Sequence, residues 1–170
     1  MKTKEEIEGF LDRLGVESNS TREVEPGLWV VRPSGNVAFD IVVHYAPPVV
    51  VLRVKVMEVP RNGDNAAKLN RRLLELNASD LLHGSYGIEQ SAIVLTEALE
   101  LANLDYEEFL AAYESMTLAL ASHLREIGSL GTTGEHRVPA RNGKPVKKAV
   151  KAKKSATRKK AARSAKRGRR

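Results

Sequence analysis

From Arg137 to Arg170 the chain contains no Leu, Ile, Phe, Met, Trp or Tyr and no acidic residue. Such a segment has nothing to bury and no opposite charge to pair with, so it cannot build a core. Any globular fold must come from roughly the first 135 residues, enough for one domain and not for two. The charge divides at the same place. The last 34 residues hold 16 of the 28 Lys and Arg, while residues 1–135 carry the other 12 against all 21 Asp and Glu. A domain of net −9 is therefore joined to a tail of +16, and the pI of 9.7 describes neither part.

Within the first part, apolar spacing changes period twice. Thr3-Lys4-Glu5-Glu6 reads as a capping box, with a hydroxyl at the N-cap and a carboxylate three residues on. Ile7, Phe10, Leu11 and Leu14 follow at helical spacing, and Gly15 stands where a C-cap glycine belongs. From Val24 the period shortens to two. Leu28–Val31, Val37–Val43 and Val49–Met57 read as three strands, separated by Pro33-Ser34-Gly35-Asn36 and by Pro47-Pro48. Ala66, Leu69, Leu73, Leu74 and Leu76 mark a second helix capped by Asp64 or Asn65, with Asn77-Ala78-Ser79-Asp80 loosening its pattern. Ser85–Ile88 and Ala92–Leu99 read as two more strands. Asp105 and Glu108 then cap a long helix with apolar residues from Phe109 to Ile127, ended by Gly128. The predicted order is α-β-β-β-α-β-β-α, an α+β domain over residues 1–130 with an antiparallel sheet packed by helices. Residues 131–170 are expected to be a disordered basic tail.

Several phrases of this domain resemble those of the YbjN family, whose fold is related to type III secretion chaperones of the CesT kind. They are Gly27-Leu28-Trp29-Val30, Ala46-Pro47-Pro48-Val49, Val54-Lys55-Val56-Met57-Glu58-Val59-Pro60, Leu73-Leu74-Glu75-Leu76-Asn77, His83-Gly84-Ser85-Tyr86-Gly87-Ile88 and Leu104-Asp105-Tyr106-Glu107-Glu108-Phe109. The likeness covers roughly residues 5–127 and leaves the tail out. It implies a type III secretion chaperone-like fold. It also implies a small acidic dimer that binds unfolded stretches of a protein client along apolar grooves, which the net −9 fits.

Catalytic chemistry finds no support. The absence of cysteine excludes disulfides, thiolate metal sites and thiol nucleophiles. His44, His83, His123 and His136 have no metal-ligand spacing; His44 and His83 are expected to hydrogen-bond near the sheet, and the other two to be exposed. The carboxylates of Asp105, Glu107 and Glu108 serve the positive end of a helix dipole better than they serve acid–base catalysis. Gly84-Ser85-Tyr86-Gly87 lacks both the nucleophile-elbow and the phosphate-loop patterns. No enzyme activity and no cofactor are expected. Neither an apolar leader nor a spanning segment is expected: Val49–Val59 is too short and is interrupted by Arg53, Lys55 and Glu58. A soluble cytoplasmic protein is expected, without membrane contact.

Surfaces remain. Trp29 reads either as core or as an anchor for a protein partner. Val49, Val51 and Met57 are placed with Arg53 and Lys55 on one face of the third strand, an apolar strip edged by charge. That strip suits an extended peptide of a client or regulator, or half of a homodimer interface. In the tail, Lys147, Lys148, Lys151, Lys153, Lys154, Arg158, Lys159, Lys160, Arg163, Lys166, Arg167, Arg169 and Arg170 suit DNA or RNA phosphates. With no aromatic residue to stack on bases, binding there would be nonspecific and would permit a nucleoid-associated role.

Overall fold

The cap expected at the N-terminus is reciprocal: Thr3 Oγ1 accepts the Glu6 N–H at 3.3 Å, and Glu6 Oε2 accepts the Thr3 N–H at 2.9 Å. It opens α1 (Lys4–Val16) in a computed structural model that describes residues 1–16, 20–35 and 37–132, all within one compact unit, Met1–Arg137. There follow β1 (Ser20–Glu25), β2 (Leu28–Arg32), β3 (Ile41–Ala46) and β4 (Val49–Glu58). The remaining elements are α2 (Gly63–Ser79), β5 (Ser85–Glu89), β6 (Ala92–Glu100) and α3 (Tyr106–Thr132). Gly131 and Thr132, expected in the tail, lie in α3; from residue 133 onward the tail expectations, and His136, lie outside the described residues.

The strands form one six-stranded antiparallel sheet in the order β1-β2-β3-β4-β6-β5. The α+β class and the helix-packed antiparallel sheet agree with the predicted fold, which lacked one strand. β1 is Ser-Thr-Arg-Glu-Val-Glu, exposed along its whole length. It gives no alternation to read, because it lies at the sheet edge, where charged side chains guard against further pairing. Val37 and Phe39 precede β3 instead of belonging to it.

Helix ends also differ from the glycine rules. Gly15 lies inside α1, and α3 runs past Gly128 to Thr132. The α2 cap is Asn62, whose side chain accepts the Asp64 and Asn65 N–H groups at 2.9 and 3.2 Å. Asn77 stays helical and does a strand's work. Its Oδ1 accepts the Tyr86 N–H at 2.7 Å and its Nδ2 donates to the Tyr86 carbonyl at 3.1 Å, closing part of the outer edge of β5. Gly84, just before β5, has φ +79°, and a Cβ there would lie 3.3 Å from both Leu95 Cδ1 and the Thr96 carbonyl.

One core holds the layers together. Alternate strand residues, among them Val31, Ile41, Val43, Val50, Leu52 and Val54, share a single cluster with Ile7, Leu11, Leu69, Leu76, Phe109 and Met116 of the helices. Burying a side chain of this size stabilises by about 1.5–3 kcal/mol. Helices α1 and α3 meet through Phe10, which packs edge-on to Tyr106 with centroids 5.7 Å apart.

A candidate protein-contact face

If one side of every strand goes to the helices, the pairing registers define the other side. Leu28, His44, Val51 and Ala98 form one row across β2, β3, β4 and β6. Arg22, Val30, Val42, Arg53, Thr96 and Ser85 form the next, from edge to edge. Ala46, Val49 and Glu100 close the end near the Pro47-Pro48 turn. Val30, Val42, Val49 and Val51 are half-buried on this side, and His44 and Ala98 are exposed. Among the described residues, no helix or strand covers them.

Charge rims the apolar rows and is largely paired. Arg32 donates to both Asp40 carboxylate oxygens, at 2.7 and 2.9 Å, and this holds the Asp40 carboxyl below its ordinary range. Arg53 donates to Glu89 across β6. Lys55 pairs with Glu58 at 2.5 Å, and the Glu58 carboxyl is lowered first by that hydrogen bond and then by Ser91.

The five residues expected at a protein contact separate here. Val49, Val51 and Arg53 share the open face. Met57 does not. The register shifts between Lys55 and Met57, and this bulge turns Met57 to the helix side, opposite the buried Ile93. Its side chain fills the space that a Cβ on Gly131 of α3 would need. Strict alternation along Val49–Met57 had placed it with Val51, and a bulge leaves no mark in such a pattern. Trp29 is 3% exposed, with α1 over it: Lys4 Nζ lies 5.8 Å from its ring centroid. Its burial supports the core reading, and a partner could reach it only after α1 moved. Leu28, Val30, Val42 and Ala98 belong to the face but escaped the sequence reading, since their membership depends on cross-strand register.

The histidines divide differently from expectation. His83 Nδ1 lies 3.6 Å from Glu97 Oε1, and His44 is exposed on the open face. His123, expected outside, is buried and hydrogen-bonded to Tyr86. Among the described residues no group of three or more His, Asp or Glu could hold a metal ion, and no helix is long and apolar enough to cross a membrane. Asp105 acts as the α3 cap, Oδ1 accepting the Glu108 N–H at 2.8 Å.

Comparison with known proteins agrees with this fold. The CesT_Tir_1 family model matches residues 1–132. A chain of the heterodimeric ExoU–SpcU complex from the type III secretion system of Pseudomonas aeruginosa superposes with a TM-score of 0.56 at 14% identity, over 75% of this chain and 98% of its own. YbjN from E. coli, described as a proposed transcription regulator, gives 0.56 at 16% identity over 75% and 93%. A chain of the ExsC–ExsE complex gives 0.53 at 13% identity over 75% and 97%. A search of curated proteins gave no match.

Proposed function

The chain belongs to the CesT_Tir_1 family, and from that premise we propose that its folded part is a noncatalytic, chaperone- or adaptor-like protein-binding module. It works as a homodimer, and its tail attaches it to nucleic acid or another polyanion without sequence preference. One observation carries the protein-binding reading: a sheet face with half-buried valines at its centre and paired charges at its rim, which no described element covers. Apolar area of that kind, rimmed by polar groups, marks interaction sites. Two of the structural neighbours, in the ExoU–SpcU and ExsC–ExsE complexes, are themselves paired with other proteins.

The test is affinity capture with the full chain from nuclease-treated lysate of the source cell, repeated without residues 137–170. A short reproducible set of proteins that survives tail removal is expected. If every partner were lost with the tail, the domain would instead serve to dimerise a nucleoid-associated DNA-binding protein.

A further inference from the structure

We infer that Met57 is a reversible oxidation site whose thioether clamps the last turn of α3 and releases it as the sulfoxide. The chain has three methionines. Met116 is 0% exposed inside the core, and Met1 is exposed ahead of α1. Met57 is the one that is half-buried and packed between elements. The bulge after Lys55 turns it to the helix side, at the margin of the core. There its side chain lies against the backbone of Gly131. A Cβ on Gly131 would overlap the Met57 Cε methyl and stand 3.3 Å from Sδ and 3.9 Å from Pro60 Cγ. No side chain fits at residue 131 while Met57 keeps its place.

The end of α3 depends on that packing. Gly128 and Gly131 stand within its last five residues, each costing about 1 kcal/mol of helix propensity relative to Ala. Its last turn has no basic residue to complement the dipole. Tertiary contact must therefore hold the turn, and Met57 and Leu130 both pack on the core margin. Hydrogen peroxide changes this contact by a balanced two-electron step. One oxygen atom passes to Sδ, the S–O bond forming as the O–O bond breaks. The sulfur gives up two electrons, and the peroxide leaves as water. An apolar thioether becomes a larger, polar sulfoxide. Keeping that group against closely packed backbone costs desolvation, and the smallest movement that wets it is release of the α3 end.

Mild hydrogen peroxide treatment of the folded full chain, read by peptide mass mapping and amide hydrogen exchange, tests this. Met57 should take up one oxygen about tenfold faster than Met116. Exchange at residues 128–132 should then rise about tenfold while residues 106–124 stay unchanged, and methionine sulfoxide reductase should reverse both effects. Met57→Leu keeps the volume without the sulfur, so it should hold the turn and make exchange indifferent to peroxide. Met57→Gln, a polar chain of similar length, should release the turn with no peroxide added. Oxidation of Met57 as slow as that of Met116 overturns the inference. So does an oxidised chain, or a Met57→Gln variant, whose α3 end exchanges as in the untreated protein. An end that already exchanges freely before treatment shows that no clamp exists. Loss of protection spreading through residues 106–124 would make Met57 a support of the whole core and overturn the local release.

Discussion

Tyr86 Oη and His123 Nδ1 lie 3.0 Å apart inside the protein, tying the edge strand β5 to α3. His123 Nε2 faces Asp80 Oδ2 at 3.6 Å, just past the end of α2, so three elements meet at one imidazole. Burial pushes the Tyr86 hydroxyl up to about 12. Tyr86→Phe keeps the ring in the core and removes the partner of Nδ1. Urea unfolding should show a loss of about 1–2 kcal/mol with the slope unchanged. In wild type, tyrosinate absorbance from Tyr86 should appear only near pH 12.

Gln90, in the β5–β6 turn, has φ +54°, a conformation that costs a residue with a Cβ about 1–2 kcal/mol. Gln90→Gly relieves this and gives back part through greater freedom of the unfolded chain. A net gain of about 0.5–1 kcal/mol is expected, read as a higher urea midpoint.

Leu52, within the strand read over Val49–Met57, is 0% exposed, whereas Leu74, read among the apolar residues of the second helix, is 68% exposed. Leu52→Ala should cost about 2–5 kcal/mol through the cavity it leaves, and Leu74→Ala should stay within about 0.5 kcal/mol. Comparable losses at the two sites would mean that Leu74 is covered in solution.

The contrast shows what was legible. Elements with an apolar stripe, such as Ile7–Leu14 and Phe109–Ile127, declared themselves through periodicity. β1 did not, because an edge strand of polar residues has no stripe. Gly15 and Gly128 misled as helix stops, since a glycine inside a packed helix costs only about 1 kcal/mol. Of the candidate face, Val49, Val51 and Arg53 were legible as neighbours on one strand. Its width was hidden in the registers, and the departure of Met57 in a bulge.

Arg72 links α2 to α3 by donating to Glu126 Oε1 at 2.6 Å and to Oε2 at 3.1 Å. That contact holds the Glu126 carboxyl below its ordinary 4.5. A carboxylate with a lowered folded value stabilises above its unfolded value and loses that contribution as pH falls through the folded one. Glu126→Gln should therefore be less stable than wild type at pH 7, with the difference shrinking to nothing in acid. Thermal melts of both proteins across pH 7 to 2 check this; a difference that grew in acid would rule the pair out as its source.

Salt dependence should identify the tail's mode of binding. If about half of its 16 cationic charges engage phosphates, released counterions give a slope of log K against log salt near −7, at about −0.9 per contact. Without aromatic residues from Arg137 onward, duplexes of different base composition should fall on one line. Single strands should give a shallower slope, at about −0.7 per contact. Removing residues 137–170 leaves a domain of net negative charge that phosphate repels, so gel retardation of DNA should vanish. Retardation by the truncated protein would move the contact to the folded domain. A flat salt response of the full chain would exclude counterion release as the driving force.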